Sequence, residues 1–179
     1  MLKKILIAFG LIIVVFVIVV ATRPEDFRVS RSATIAAPPE AIFPHVNELQ
    51  KWDAWSPWMK LDPNAKSTFE GPPAGKGAAM SWAGDSNVGE GKMTITDSRP
   101  NELVHFHLEF FKPMAGTSEA EFAFKPEGNQ TTVTWTMTGK NNFMAKAISL
   151  FMDCDAMIGG QFEKGLASMK SIAEGAAKK

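Results

Sequence analysis

The chain has 179 residues, and its 19 lysines and arginines balance 19 aspartates and glutamates, so the formal net charge is zero. A neutral chain without a basic run excludes a nucleic-acid binder of the kind that depends on neutralising phosphates. The single cysteine, Cys154, excludes an internal disulfide and a cysteine-based zinc cluster.

An uncharged apolar run from Ile5 to Thr22 follows Lys3 and Lys4 at the N-terminus. About 20 apolar residues are needed to cross the ~30 Å hydrocarbon core of a bilayer, whereas the apolar region of a cleaved signal peptide is usually ~7–15 residues long. We therefore predict a transmembrane anchor in residues 1–23. Secretion after cleavage near Val19-Val20-Ala21 is the alternative.

The flanking charges predict the orientation of this anchor. Lys3, Lys4 and the amino terminus precede the apolar run, and Arg23 and Arg28 follow it. The small excess of positive charge at the start favours an N-terminus in the cytoplasm and a domain outside. That domain, residues 24–179, is large enough for one hydrophobic core.

Alternating polar and apolar residues predict a first strand at 26–37. Pro38-Pro39 then favours the start of a short helix, which Pro44 shortens or kinks. This helical region is expected to end at Ser56-Pro57, because the residue before a proline avoids the α conformation.

The pattern then changes to strands separated by short loops rich in glycine, proline, aspartate and asparagine. Such loops favour antiparallel hairpins. The six strands predicted here are at 66–71, 77–84, 90–98, 102–111, 118–125 and 131–139.

The last segment, from Asn141 to Ala177, contains no proline and has apolar residues at three- and four-residue steps. This spacing predicts one long amphipathic helix with its apolar stripe on the sheet. Gly159-Gly160 is the expected position of a bend. The stripe consists of Met144, Ile148, Phe151, Ile158, Phe162, Leu166 and Met169.

This order of elements, with specific sequence motifs, resembles the START-like or SRPBCC superfamily and, within it, the bacterial polyketide cyclase/dehydrase and lipid transport group. The motifs are WDAWSPW, GPPAGKGAAMSWAG, VGEGKMTITDSRPNE, LEFFKP, FKPEGNQTTVTWTMTG and MIGGQFEKGLASMKSIAE, within residues 26–175. The resemblance implies an α+β helix-grip fold, in which about seven curved antiparallel strands surround the C-terminal helix. It also implies an apolar cavity for a lipid, polyketide or other hydrophobic molecule. In a bacterium, the predicted orientation of the anchor would place the domain in the periplasm.

One face of every predicted strand is apolar. Taken alone, this face is either a filled core or the wall of a cavity, and the fold implied by the resemblance favours a cavity. Because Pro57 interrupts the helix, the tryptophans of WDAWSPW cannot share one face. We expect Trp55 or Trp58 at the cavity entrance, and Trp52 as a lid on the core. The candidate ligand-binding residues are Trp55, Trp58, Trp82, Phe106, Phe110, Phe122, Trp135, Met137, Phe151 and Asp155.

Asp155 is expected on or near the buried stripe of the long helix, where a dry carboxylate would have a raised pKa and could act as an acid or base. It is therefore the catalytic candidate, with His45 or Asp53 as partner. The other interpretation places it at the edge of the helix, where it caps or pairs on the surface. Cys154 has no basic neighbour in sequence, which favours an inert thiol.

His105 and His107 lie two residues apart on one predicted strand and are the candidates for metal binding. Because the alternate face of this strand is the apolar one, we expect the histidines and Glu109 to face solvent instead.

Together these observations predict an anchored domain that binds or carries a hydrophobic, lipid-like molecule. The alternatives are a cyclase-like enzyme and a non-enzymatic, membrane-anchored interaction module. The sequence predicts no cofactor, and it indicates no particular protein partner.

Overall fold

The computed structural model describes residues 1–176, so the last three residues of the predicted domain and the end of the predicted long helix lie outside the described residues. Single 3₁₀ turns at Leu49–Lys51 and Trp58–Lys60 flank α3. The elements in chain order are α1 (Leu2–Ala21), β1 (Asp26–Ile35), α2 (Pro39–Asn47), α3 (Trp52–Trp55), β2 (Lys66–Glu70), β3 (Ala79–Ala83), β4 (Glu90–Arg99), β5 (Leu103–Lys112), β6 (Gly116–Glu127), β7 (Gln130–Lys140), α4 (Phe143–Ile148) and α5 (Cys154–Ala176).

The seven strands form one antiparallel sheet in the order β1-β7-β6-β5-β4-β3-β2. The strands from β2 to β7 follow one another as hairpins. The first strand, β1, is the edge strand beside β7, and its Val29 lies opposite Met137. Register shifts at Glu90/Gly91 and between Ile95 and Asp97 interrupt the β4–β5 ladder. Such bulges bend a strand and increase its twist, which contributes to the curvature of the sheet.

The core lies between the inner face of this sheet and α5. Apolar residues of the strands alternate with outward polar residues, as the period of two predicts. The largest fully buried side chains come from both layers and from the short helices between them, including Phe106, Phe122, Trp55, Phe162 and Leu166. The predicted helix-grip fold is therefore confirmed, with seven curved antiparallel strands and a C-terminal helix.

The prediction of one uninterrupted C-terminal helix is wrong. The segment forms α4 and α5, separated by residues 149–153. Each helix begins at a side-chain cap: Asn142 Oδ1 accepts a hydrogen bond from the Ala145 amide at the start of α4, and Asp153 Oδ1 accepts one from the Ala156 amide at the start of α5, directly after the break. A side chain that satisfies a free amide in this way favours the start of a helix. Gly159-Gly160, the expected position of a bend, lies inside α5.

Within residues 1–176, α1 is the one helix that is both long and apolar enough to cross a membrane. A signal sequence near the N-terminus passes the same test of length and apolarity, so these properties fit either a span or a signal. Most of α1 is exposed, but Val20, near its C-terminal end, is fully buried. The end of α1 therefore packs against the rest of the protein.

Candidate ligand cavity

A cavity of about 260 Å³ lies between the inner face of the sheet, the turns around α3 and the first half of α5. Its volume is slightly below the ~300–1,000 Å³ typical of ligand pockets. Three lining residues, Ser56, Ser67 and Asn87, have polar side chains without a titratable group. The remaining lining residues are Trp52, Trp58, Met59, Ala65, Met80, Trp82, Val88, Met93, Phe106, Leu108, Phe110, Ala120, Trp135, Met137, Ile158 and Phe162.

The three tryptophans of WDAWSPW occupy different positions around this cavity. Trp52 and Trp58 lie in its wall, whereas Trp55 is fully buried behind it. The indole nitrogens of Trp52 and Trp55 donate hydrogen bonds to the carbonyls of Val46 and His45, at 3.0 and 2.8 Å. These bonds fix both rings against the end of α2. Of the two tryptophans expected at the entrance, Trp58 lines the cavity and Trp55 does not.

The strands supply most of the other residues that the sequence indicated. Five of them line the cavity, namely Trp82, Phe106, Phe110, Trp135 and Met137. Phe122 does not, because its ring lies behind the wall with its centroid 4.5 Å from that of Trp135. That any of these residues contacts a ligand stays a prediction.

The closed side of the cavity depends on a close approach of α5 to the sheet. The rings of Trp135 on β7 and Phe162 on α5 stack with centroids 4.1 Å apart and planes 5° apart. One turn later, a Cβ atom at Gly165 would lie 3.0 Å from the Trp135 ring and 3.2 Å from Pro57. Glycine at this position therefore lets the helix backbone pack on the tryptophan cluster.

The open side lies at one end of the sheet, which we call the α1 end. Strand pairing brings the start of β1 and the end of β7 to this end together with the β3–β4 and β5–β6 connections. The lining residues nearest this end are partly or fully exposed, whereas those further along the strands are buried. The partly or fully exposed lining residues around the mouth include Trp58, Ala65, Ser67, Trp82, Asn87, Val88, Phe110, Met137 and Ile158.

Sequence reasoning missed several lining residues. Asn87 and Val88 lie in a connection between strands, where periodicity gives no signal about which way a side chain points. Ala120 was recognised as part of the apolar sheet face but not singled out, although its small side chain leaves part of the space open. Phe162 was recognised as part of the apolar stripe, and that stripe was the available signal for its position.

Besides Trp55 and Phe122, two further residues indicated as ligand-binding lie outside the cavity lining. Phe151 is in the segment between α4 and α5 with 79% of its surface exposed, and its ring stacks on Phe16 of α1. Asp155 lies on the surface and forms an ion pair with Arg31 of β1, with Nη2 and Oδ2 2.7 Å apart. The hydrogen bond from Arg31 lowers the pKa of Asp155, so the expectation of a buried carboxylate with a raised pKa is wrong.

The proposed partners of Asp155 also lie away from the lining. Asp53 is exposed on α3. His45 lies at the end of α2, and its Nδ1 is buried without a hydrogen-bond partner within the described part of the chain. Burial is the main cause that lowers the pKa of His45, and the charge of Lys51 adds to it. These three groups therefore do not converge on one reaction site.

The histidine row of β5 faces outward, as its alternation predicts. His107 Nδ1 lies 2.5 Å from Glu119 Oε1, and His105 Nδ1 lies 3.1 Å from the Thr96 hydroxyl. In residues 1–176, no group of three histidine, cysteine, aspartate or glutamate side chains is arranged to hold a metal ion. The row forms a polar, partly exposed network on the outer face of the sheet.

Comparison with solved structures shows the same fold in proteins with little sequence similarity. The Zhui aromatase/cyclase from Streptomyces sp. R1128 has a TM-score of 0.63 and 14% identity, over 86% of this chain and 96% of its own. A Mesorhizobium loti protein gives 0.60 and 13%, over 82% and 96%. The Aha1 dimer from Colwellia psychrerythraea gives 0.59 and 19%, over 83% and 96%.

No curated protein sequence matches the chain. The family model described as "Polyketide cyclase / dehydrase and lipid transport" matches residues 26–174, nearly the whole domain that follows α1. The chain therefore belongs to the polyketide cyclase/dehydrase and lipid transport family, of the SRPBCC type.

Proposed function

We propose that this protein binds a hydrophobic, lipid-like small molecule in the cavity and is held beside a membrane by α1. The observation that carries the proposal is the lining itself, which is apolar except for Ser56, Ser67 and Asn87. Burial of apolar ligand surface stabilises a complex by about 25 cal/mol per Å². A few polar groups at one side are enough to fix the orientation of an amphipathic ligand.

The lining supports binding over acid–base catalysis. Cyclisation of a polyketide needs a general base beside an acidic C–H group and a donor for the enolate oxygen. Within residues 1–176, no lining residue carries a titratable side chain. A cyclase-like activity is therefore the second candidate, and it rests on the family alone.

The position of the mouth supports a role beside the membrane. It lies at the α1 end of the sheet, where the chain passes from α1 into β1. With the N-terminus in the cytoplasm, the domain would stand in the periplasm with its cavity close to the outer surface of the cytoplasmic membrane. An anchored binding site faces a high local concentration of lipid.

Tryptophan fluorescence tests this proposal, because four of the five tryptophans line the cavity. We expect a brominated fatty acid to quench the emission of the full chain saturably. The change Ala120→Leu fills part of the cavity and should abolish this quenching. The matched control Ala123→Leu makes the same change on the outer face of the same strand and should leave quenching unchanged.

Equal quenching in both variants would show that the fatty acid binds elsewhere and would overturn the proposed site. Native mass spectrometry of the same preparations provides the second readout, because a bound lipid adds its mass to the chain. No adduct and no thermal shift across a panel of lipids would favour the interaction module.

A further inference from the structure

Five large apolar side chains are exposed on α4, in residues 149–153 and in the first turn of α5. We call this the α4 patch; its members, Phe143, Met144, Phe151, Met152 and Met157, are between 46% and 79% exposed. A cluster of this kind on a water-soluble surface marks a site of contact with a partner or a membrane.

The α4 patch is continuous with the apolar surface of α1. The ring of Phe151 stacks on Phe16 with centroids 6.5 Å apart, and α4 packs against α1. The covering surface that this continuity favours is therefore the bilayer itself.

The position of Phe16 along α1 indicates how deeply the α4 patch would lie in the bilayer. With 20 residues at ~1.5 Å per residue, α1 is about as long as the ~30 Å hydrocarbon core is thick. Phe16 lies five residues before the end of α1, or about 7.5 Å along the axis. A side chain stacked on it reaches the ~5–10 Å depth at which interfacial segments bury their apolar faces.

The sheet brings a second apolar element to the same side. The β5–β6 hairpin exposes Phe111 and Met114, and strand pairing places this hairpin at the α1 end of the sheet, beside the cavity mouth. Polar groups near the α4 patch have positions compatible with an interface. Lys146 has a long side chain that can extend to the headgroups, Asp153 caps α5 and Asp155 is paired with Arg31.

We propose that the α4 patch is inserted into the headgroup–acyl boundary of the bilayer that α1 spans, so that the mouth of the cavity rests on the membrane surface. This inference depends on the anchor of the proposed function and adds a second membrane contact to it. A ligand could then pass between bilayer and cavity without crossing bulk water.

Depth-dependent quenching tests the inference on the full chain. Single cysteines are introduced in a Cys154→Ser background, labelled with bimane, and reconstituted in vesicles of equal parts phosphatidylcholine and phosphatidylglycerol. Phe151→Cys reports on the α4 patch, Val14→Cys on the middle of α1, and Ala167→Cys on the exposed face of α5. Met144→Cys gives a second position in the patch should Phe151→Cys fold poorly.

We expect lipids with a doxyl group near the headgroup to cause a several-fold greater loss of emission at positions 151 and 144 than at position 167. Equal, weak quenching at 151, 144 and 167, with strong quenching of Val14→Cys by deeply placed doxyl groups, would overturn the patch insertion and leave the anchor standing. Weak quenching at position 14 as well would overturn the anchor and the inference together. Fatty-acid binding, measured separately, is independent of all three outcomes.

Discussion

The guanidinium of Arg31 lies against Gly159, in space that a Cβ atom at that position would occupy. From there it contacts carboxylates one turn away on either side, Asp155 at 2.7 Å and Glu163 at 2.9 Å. A single cation on β1 therefore joins two turns of α5. Glycine at position 159 is what allows this cation to cross the helix so closely.

The two adjacent glycines of α5 should consequently respond differently to alanine. Within residues 1–176, and apart from the backbone of the helix itself, nothing lies within 4 Å of a Cβ added at Gly160. Because alanine is more favourable than glycine in a helix by about 0.5–1 kcal/mol, Gly160→Ala should raise the free energy of unfolding by that amount. Gly159→Ala should lose this gain, because the guanidinium must move away from both carboxylates. Urea unfolding in detergent micelles measures the difference, and equal gains would show that the Arg31 pairs contribute nothing.

The Arg31–Asp155 pair should also make the stability of the protein depend on pH in the acidic range. The hydrogen bond from Arg31 holds the pKa of Asp155 below its ordinary value of 3.8. A carboxyl group whose pKa is lowered on folding contributes stability that is complete above the unfolded pKa and is lost as pH falls through the folded one. The Tm of Asp155→Asn should thus lie below that of the parent near neutral pH and converge with it below pH 3.8. Asp53→Asn, on the exposed face of α3, is the control that should shift Tm little at either pH.

The strands were well predicted from the sequence, because the alternation of polar and apolar residues that marks a strand is visible within a few consecutive residues. The period of two identified all seven strands, and every predicted boundary differs from the structure by at most two positions. The apolar face that alternation assigned to β5 is the buried one, with Val104 and Phe106 inward and His105 outward.

The C-terminal segment could not be divided by periodicity alone. Its apolar spacing continues from Met144 to Met169 across the break, so the stripe gives no sign of residues 149–153. The available signal was chemical: Asp153 followed by the start of an apolar-periodic run fits an N-cap. Without the break, Phe151 was placed on a buried stripe that α5 does not share with it.

The candidate site was only partly predictable. The face of the sheet on which a residue lies follows from the local sequence, whereas its place in the cavity lining depends on contacts between distant segments. Periodicity placed Trp135 and Met137 on the inner face, and both line the cavity. It could not distinguish them from Phe122, which lies on the same face but behind the wall. That distinction depends on where α3 and α5 pack, and these contacts join residues distant in sequence.

The division between α4 and α5 can be tested through its cap. Removing a side-chain N-cap typically costs about 1 kcal/mol, and Asp153 Oδ1 holds the Ala156 amide at 2.9 Å. We expect Asp153→Ala to lower the free energy of unfolding by about that amount. Asp153→Ser, which preserves a capping oxygen, should restore most of it. No loss in Asp153→Ala would show that packing alone defines the start of α5.

His45 should make the domain less stable in mildly acidic solution. Its Nδ1 is buried without a partner among residues 1–176, and burial lowers the pKa below the ordinary value of 6.5. A lowered histidine pKa means that the unfolded chain takes up the proton first, so stability is complete above pH 6.5 and falls as pH drops through the folded pKa. The Tm of the parent should therefore decline below pH 6.5 more steeply than that of His45→Leu. If the Tm of the parent and the Tm of His45→Leu declined equally below pH 6.5, His45 would not be the cause of the loss of stability in acid.

The stacked pair Trp135 and Phe162 should couple more strongly than an aromatic pair at the cavity mouth. Its rings are nearly parallel, with centroids 4.1 Å apart, and both residues are almost fully buried. Aromatic pairs contribute about 0.5–1.5 kcal/mol beyond the burial of their area. A double-mutant cycle built from Trp135→Leu and Phe162→Leu keeps an apolar side chain at each position, so its coupling energy reports the ring contact.

The comparison pair is Trp82 and Phe110, whose ring centroids are 6.0 Å apart and whose ring planes meet at 72° near the mouth. We expect a coupling near the upper end of that range for the first pair and a smaller one for the second, because only the first joins the sheet to α5. Equal couplings would mean that the stack does not help to hold the helix against the sheet, and that the close approach at Gly165 is what closes the cavity on that side.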